Sequence, residues 1–105
     1  MLGIGQFSKI CQVSVKTLRY YDKIQLLTPA KIDPDTGYRY YNDNQLPKML
    51  LIQRLKRYGF SLDEVKAILS CDDRCTLSCK LARQVQRLRQ QVADTEYVIT
   101  ELEQH

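Results

Sequence analysis

The sequence predicts a mainly α fold, in which a small head of short helices and one β-hairpin is followed by a single long helix. Over residues 4–70 the apolar residues recur at helical spacing in short runs, interrupted by proline, glycine and asparagine. From residue 81 they alternate four- and three-residue steps through three heptads without a break, which is typical of a coiled coil. A chain of 105 residues can bury one modest core, so the head is expected to be one domain.

Two short helices are predicted at the start of the head. Phe7, Ile10 and Cys11 fall at i, i+3 and i+4, on one face of a helix over residues 5–11. Ser14 is a good N-cap for a second helix, because its hydroxyl can accept from a free backbone N–H. The short connection between the two predicts a helix-turn-helix. The second helix has an apolar face of Val15, Leu18 and Tyr21 and a polar face of Lys16, Arg19, Tyr20 and Lys23.

A β-hairpin is predicted to follow. Residues 33–37 read Asp-Pro-Asp-Thr-Gly, which combines the residues that preset or tolerate turn conformations. The flanking runs 30–32 and 38–41 suit β-strands. The hairpin would stand as a wing beside the two helices, so the head is predicted to be a winged helix-turn-helix.

A third helix is predicted to begin near Asn42 or Asn44. Pro47 then lies near its first turn, where a missing N–H costs least. The run 49–52, with Leu55, is the most apolar part of the head and is expected to form its core.

A fourth helix is predicted after a stop at Gly59, with Phe60 folding back. Ser61 and Glu64 have the spacing of a capping box, in which each side chain bonds the backbone N–H of the other residue. Its apolar face is formed by Leu62, Val65, Ile68 and Leu69.

The long helix is predicted over residues 79–105, after a linker over 71–78, with residues 1–70 as the preceding domain. A helix with so narrow an apolar stripe cannot bury it alone, which predicts a homodimer. Its first half is basic and its second half acidic, so an antiparallel pair sets opposite charges together, whereas β-branched residues at the a positions suit a parallel pair. We favour the antiparallel coiled coil. The stripe consists of Leu81, Val85, Leu88, Val92, Thr95, Ile99 and Leu102.

Charge and composition limit the classes of partner that the chain is expected to bind. Residues 1–70 carry eleven Lys and Arg against six Asp and Glu, a net +5, whereas residues 71–105 carry five against six. A basic head suits a polyanion, and cations mixed with tyrosines suit a DNA backbone. Neither a membrane span nor a signal peptide is apparent, so a cytoplasmic protein with reduced thiols is expected.

Several motifs together resemble the MerR family of transcription regulators. They are Ile4-Gly5-Gln6-Phe7-Ser8-Lys9, the stretch over 13–22 (Val-Ser-Val-Lys-Thr-Leu-Arg-Tyr-Tyr-Asp), the Gly-Tyr-Arg-Tyr-Tyr of 37–41, and the Gly-Phe-Ser-Leu-Asp-Glu-Val of 59–65. The resemblance covers residues 4–70, and the coiled-coil helix extends it to the end. The hairpin is most similar to the multidrug-responsive branch.

The resemblance implies a dimer that binds pseudo-palindromic promoter DNA and controls transcription by bending and untwisting it, with RNA polymerase as an indirect partner at the promoter. It further implies that an effector ligand binds a separate domain beyond the coiled coil, absent from this chain.

Two positions depart from the family pattern: Gln12 and Gln25 stand where many members have glycine. A positive φ there would cost about 1 kcal/mol each. Carried over as DNA contacts are Lys16, Thr17, Arg19, Tyr20, Tyr38, Arg39 and Lys56, whereas Tyr21, Tyr40 and Tyr41 are expected to pack.

Two other functions are weighed against a DNA-binding regulator. Cys71, Cys75 and Cys79 recur every four residues and could hold a soft metal or act as a thiol switch, although packing is the more ordinary role for such cysteines. A coiled-coil adaptor without DNA binding is the third class. No enzyme activity, cofactor or membrane partner is expected, because the chain has one histidine, no carboxylate cluster in a plausible cleft and no nucleotide-binding loop.

Overall fold

The computed structural model describes residues 1–70 and 74–105, with side chains from residue 76 in the second range. The fold is mainly α, as predicted. Contacts divide it into two compact units, Met1–Leu55 and Lys56–His105. In chain order the elements are β1 (Leu2–Gly3), α1 (Ile4–Cys11), α2 (Val15–Lys23), β2 (Lys31–Ile32), β3 (Arg39–Tyr41), a 3-10 turn (Asp43–Gln45), α3 (Leu46–Arg57), α4 (Leu62–Leu69) and α5 (Arg74–Glu103).

The predicted hairpin belongs to a three-stranded antiparallel sheet. Its strand order is β1-β3-β2, so β3 is central. Tyr40 of β3 lies opposite Gly3 on one side and Lys31 on the other. The sequence did not predict β1, because a strand of two residues is too short to show an alternating pattern. The wing is therefore anchored to the start of the chain.

Stacked aromatic rings lie at the centre of the core of the first unit. Phe7 of α1 and Tyr41 of β3 are both fully buried, with ring centroids 4.5 Å apart and planes inclined by 12°. The Tyr41 hydroxyl is buried without a hydrogen-bond partner within the described ranges. Burial raises the pKa of this phenol, the nearby Asp22 carboxylate raises it further, and Arg39 acts in the opposite direction.

Three apolar residues that the sequence placed on an apolar helix face or in the core are instead exposed. Ile10 of α1 is 54% exposed, and Leu50 and Leu51 of α3 are 57% and 40% exposed. On α3 the core receives Met49 and Ile52, which are three residues apart on one face. A continuous apolar run cannot place all its members on one face of a helix, so the interpretation of 49–52 as wholly core was wrong.

Both helices of the helix-turn-helix end at glutamines in a left-handed conformation. Gln12 has φ 57° and Gln25 has φ 60°. After α1, the Val13 N–H donates to the Ser8 carbonyl at 3.1 Å, which is one of the two bonds that define a Schellman ending. The Leu26 N–H makes the equivalent bond to the Tyr21 carbonyl at 2.8 Å. These are the two positions where the resemblance implies glycine, and each glutamine adopts a backbone that favours glycine.

Replacing either glutamine with glycine is expected to stabilise the fold. Gln12→Gly and Gln25→Gly should each raise the free energy of unfolding by about 1 kcal/mol, because glycine adopts positive φ without a Cβ penalty. Denaturant unfolding at one protein concentration measures this. The matched control is Gln86→Gly in the middle of α5, where the same replacement should destabilise by about 1 kcal/mol. Lower stability in the first two variants would contradict the assignment of strain.

The second unit opens with the turn that ends α3. Gly59 has φ 96°, and a Cβ built there would lie 2.8 Å from Nε2 of Gln84. The same Nε2 donates to the Tyr58 carbonyl at 2.6 Å, and Gln84 is 5% exposed. Phe60 is buried directly after the turn, as predicted. Glycine is therefore needed here both for its φ and for the close approach of the Gln84 amide.

The capping box of α4 is present as predicted. The Glu64 N–H donates to Ser61 Oγ at 3.2 Å, and the Ser61 N–H donates to Glu64 Oε1 at 3.0 Å. Those bonds to Ser61 hold the pKa of the Glu64 carboxyl below its usual range, and Arg87 of α5 adds to the effect. Arg87 Nη2 lies 3.1 Å from Glu64 Oε2, which links α4 to α5.

The helix α5 begins at Arg74, five residues before the predicted start at Cys79. Residues 74–78 are therefore helical and not a linker, and residues 71–73 lie outside the described part of the chain. Its apolar stripe lies on the surface of the single chain: Val92 is 58% exposed and Leu102 is 68% exposed. No helix within the described ranges is long and apolar enough to cross a membrane.

Candidate nucleic-acid interface

The outward face of α2 carries most of the predicted contacts. Ser14 caps the helix, since its Oγ accepts from the Thr17 N–H at 3.0 Å. The Thr17 hydroxyl lies 2.8 Å from the same Oγ, so it is engaged at the helix start. Lys16 and Arg19 are exposed, and Tyr20 is 49% exposed. Cations and a phenol thus extend from one helix face, while Leu18 and Tyr21 are buried on the other.

The wing presents a second set of groups from the same unit. Its turn is built by Asp33, whose Oδ1 accepts from the Asp35 N–H at 2.8 Å, and by Gly37 with φ 73°. Tyr38, at the start of the returning strand, is 48% exposed. A Cβ added at Gly3 would lie 3.1 Å from the Tyr38 ring, so the glycine of β1 leaves room for this tyrosine.

An ion pair joins the helix to the wing. Arg39 Nε donates to Asp22 Oδ2 at 3.1 Å, between side chains that are 33% and 21% exposed. Asp22 lies in the last turns of α2 and Arg39 begins β3, so this bond fixes one against the other. Sequence reasoning gave Asp22 no role, because nothing local connects two residues that are seventeen positions apart.

The remaining predicted residues are placed as follows. Six of the seven predicted contacts lie in the first unit, on α2 and the wing. The seventh, Lys56, is exposed near the end of α3 and belongs to the second unit. Tyr21 and Tyr41 are buried, as expected for packing residues, and Tyr40 is half-buried. The assignment of DNA contacts to individual residues stays a prediction.

This arrangement suits a phosphate backbone. Arginine and lysine neutralise phosphates, and exposed tyrosine hydroxyls can donate to phosphate oxygens. The Arg39 Nη groups have no hydrogen-bond partner within residues 1–70 or 76–105, so the guanidinium can hold Asp22 through Nε and an anion through its other edge. The helix and the wing together offer two points of attachment on one compact unit.

The cysteine hypothesis falls largely outside what the structure describes. Cys71 lies beyond the described ranges, as does the side chain of Cys75. Cys79 is an exposed residue of α5. Cys11 is buried in the core as predicted, and burial raises the pKa of its thiol. A metal or thiol switch at the three cysteines therefore stays a prediction, and the family and relatives of the chain do not favour it.

The fold and the exposed basic face define a protein of the winged helix-turn-helix class. The family model described as MerR HTH family regulatory protein matches residues 2–71, and a second, described as MerR, DNA binding, matches residues 46–105. The chain therefore belongs to the MerR family of transcriptional regulators, as its motifs indicated.

Relatives and solved structures agree with this placement. The chain is 57% identical over 64 residues to the multidrug-efflux transporter 1 regulator of Bacillus subtilis, covering 61% of the chain and 23% of that protein. Its fold matches MtaN, the N-terminal fragment of the Bacillus subtilis multidrug transporter activator, with a TM-score of 0.87. The two are 31% identical, and the match covers 99% of the chain and 96% of MtaN. It also matches EcmrR in its DNA complex, with a TM-score of 0.79 at 41% identity over 89% of the chain and 34% of EcmrR. The chain thus spans about a quarter to a third of the longer proteins.

Proposed function

We propose that this chain binds pseudo-palindromic promoter DNA as a homodimer and controls transcription by bending and untwisting the duplex. The observation that carries the proposal is the placement of the exposed Arg19 on α2 and the half-buried Arg39 on the wing in one compact unit, whose helix and wing are linked by the Asp22 ion pair. In this reading α2 enters the major groove and the wing holds the neighbouring backbone.

The dimer supplies the spacing that the DNA mechanism needs. The exposed stripe of α5 is the surface expected to pair two copies, in antiparallel orientation. Two heads at a fixed separation can hold two half-sites only if the duplex adopts a matching shape, so shape is read through backbone contacts. RNA polymerase is an indirect partner in this scheme, because it would recognise the reshaped promoter.

The wider assignments follow from the same proposal. Residues 1–70 act as the DNA-binding domain and the long helix as the dimerisation element. An effector ligand binds a domain outside this chain, consistent with the multidrug regulators among its relatives. A DNA target places the protein in the cytoplasm, and the proposed activity is regulatory, not enzymatic.

Loss of one phosphate contact on α2 should weaken DNA binding in a salt-dependent manner. Arg19→Ala is expected to lower affinity for operator DNA about tenfold or more, because each subunit loses a charged contact. The slope of log affinity against log salt should become shallower by about two, one for each subunit. Fluorescence anisotropy with labelled operator DNA across a salt series measures both quantities.

The control removes the same charge from elsewhere. Arg83→Ala takes an exposed arginine from α5, far from α2 in sequence, and should leave the salt slope unchanged. Circular dichroism and sedimentation are used to check that both variants keep the helical fold and the same mass in solution. An unchanged slope for Arg19→Ala, or a flat salt response of the parent chain, would remove the proposed contact.

A further inference from the structure

A shallow groove follows the middle part of the apolar stripe of α5. A volume of about 300 Å³ is lined by Leu88, Gln91, Val92, Thr95 and Glu96. Leu88 is 40% exposed and Val92 is 58% exposed in the single chain. The homodimer proposed above would cover this groove with a second α5, which raises the question of register: which residues of the two helices lie opposite each other.

Heptad positions restrict the register. The a positions are occupied by Val85, Val92 and Ile99. The d positions are occupied by Leu81, Leu88, Thr95 and Leu102. In an antiparallel pair, knobs-into-holes packing sets each a residue of one helix against a d residue of the partner helix. At the edge of this seam, the e positions of one helix face the e positions of the other. The e positions of the two central heptads are Arg89 and Glu96.

Two registers pair most of the stripe. One places Leu88 opposite Val92 of the partner subunit, and in that register Arg89 meets Arg89 of the partner subunit. The other is shifted by one heptad and places Leu88 opposite Ile99 of the partner subunit. Arg89 then meets Glu96 of the partner subunit, and the two-fold symmetry repeats this pair.

Neither charge is used within its own helix. Opposite charges stabilise a helix at separations of three or four residues, yet those positions around Arg89 and Glu96 hold only uncharged residues. Within the described residues neither side chain belongs to an ion pair. The two charges flank the seam and are available to a partner. The uncharged neighbours are Val85, Gln86, Val92, Ala93, Ile99 and Thr100.

We propose that the chain dimerises in the second register, in which two symmetry-related pairs of Arg89 and the partner's Glu96 select both the orientation and the alignment of the helices. This inference rests on the proposed homodimer and specifies it. Like charges at the seam penalise the first register, and a parallel pair would place both charges opposite glutamine, at Gln84 and Gln91, without such a gain.

Two charge-reversal variants test the register. In Arg89→Glu homodimers both pairs join two carboxylates, and in Glu96→Arg homodimers both join two arginines. A heterodimer of the two variants restores both opposite-charge pairs. After mixing and equilibration at low salt, native mass spectrometry should find about three-quarters of the dimers as heterodimer, against about half for random mixing, which corresponds to a roughly tenfold preference.

A second pair of variants serves as the control. Arg83 and Glu101 lie at outward heptad positions, so Arg83→Glu mixed with Glu101→Arg should give the random share of heterodimer. Random mixing of the Arg89 and Glu96 variants, with a dimeric parent chain, would overturn the register and leave the homodimer intact. The Glu96→Arg homodimer separates the two registers, because in the first register Glu96 would lie opposite Ala82 of the partner subunit. A Glu96→Arg homodimer that dissociates at the same protein concentration as the parent would therefore overturn the second register even if heterodimers predominate. A monomeric parent chain would instead overturn the homodimer of the proposed function.

Discussion

A Val92→Asp variant is expected to be monomeric and to lose operator binding. Val92 lies in the middle of the α5 stripe, and a dimer would place two such carboxylates in an apolar seam without partners. The two heads would then bind independently, so affinity for the full pseudo-palindrome should fall about 100-fold or more while affinity for an isolated half-site stays the same. Sedimentation equilibrium and anisotropy with full-site and half-site DNA measure the two effects.

The control introduces the same carboxylate on the opposite side of α5. Tyr97 is 65% exposed and occupies an outward heptad position, so Tyr97→Asp should remain dimeric and bind the full site normally. This pair separates a seam effect from added charge. A dimeric Val92→Asp variant with unchanged full-site affinity would exclude the stripe as the dimerisation surface.

Features set by local chemistry were predictable from sequence. Ser14 and Ser61 cap their helices as expected, because a cap requires only a side chain and the N–H groups of the next turn. Gly59 ends α3 for a similar reason, since its φ is determined by the turn itself. The strained glutamines were also foreseeable, because a family pattern of glycine at a helix end points to positive φ.

Features set by contacts distant in sequence were not predictable. The strand β1 exists because Leu2 pairs with Tyr41, and two residues carry no periodic signal of their own. The exposure of Ile10 depends on which elements pack against α1, which an i, i+3, i+4 pattern does not specify. The helical residues 74–78 were taken for a linker since the stripe that marks the coiled coil begins only at Leu81.

The candidate interface shows the same division. Helical spacing was enough to predict that Lys16, Arg19 and Tyr20 of α2 lie on the face opposite the buried Leu18 and Tyr21. It could not predict that Arg39 is shared with Asp22. That ion pair has two consequences for a phosphate contact at Arg39. The Asp22 carboxylate would lie close to the phosphate and repel it, and the same carboxylate holds the guanidinium in place before DNA binds. The wing contact is therefore expected to contribute position more than net charge.

Loss of the Phe7 ring should have the largest effect on stability. Phe7→Ala removes a fully buried side chain that stacks on Tyr41 and joins α1 to the central strand of the sheet. The expected loss is about 3–5 kcal/mol of unfolding free energy, a large share of the roughly 5–15 kcal/mol typical of small domains. Denaturant unfolding followed by circular dichroism, at one protein concentration, gives this value.

Tyr41→Phe isolates the ring from its hydroxyl. The ring that stacks on Phe7 is retained, and the only group lost is a buried hydroxyl without a hydrogen-bond partner in the described ranges. Because burying an unpaired polar group costs about 1–3 kcal/mol, its removal should leave stability unchanged or raise it by about 1 kcal/mol. A marked loss in Tyr41→Phe would mean that the hydroxyl is bonded in solution, and a loss below about 1 kcal/mol in Phe7→Ala would mean that the aromatic stack is not the centre of the core.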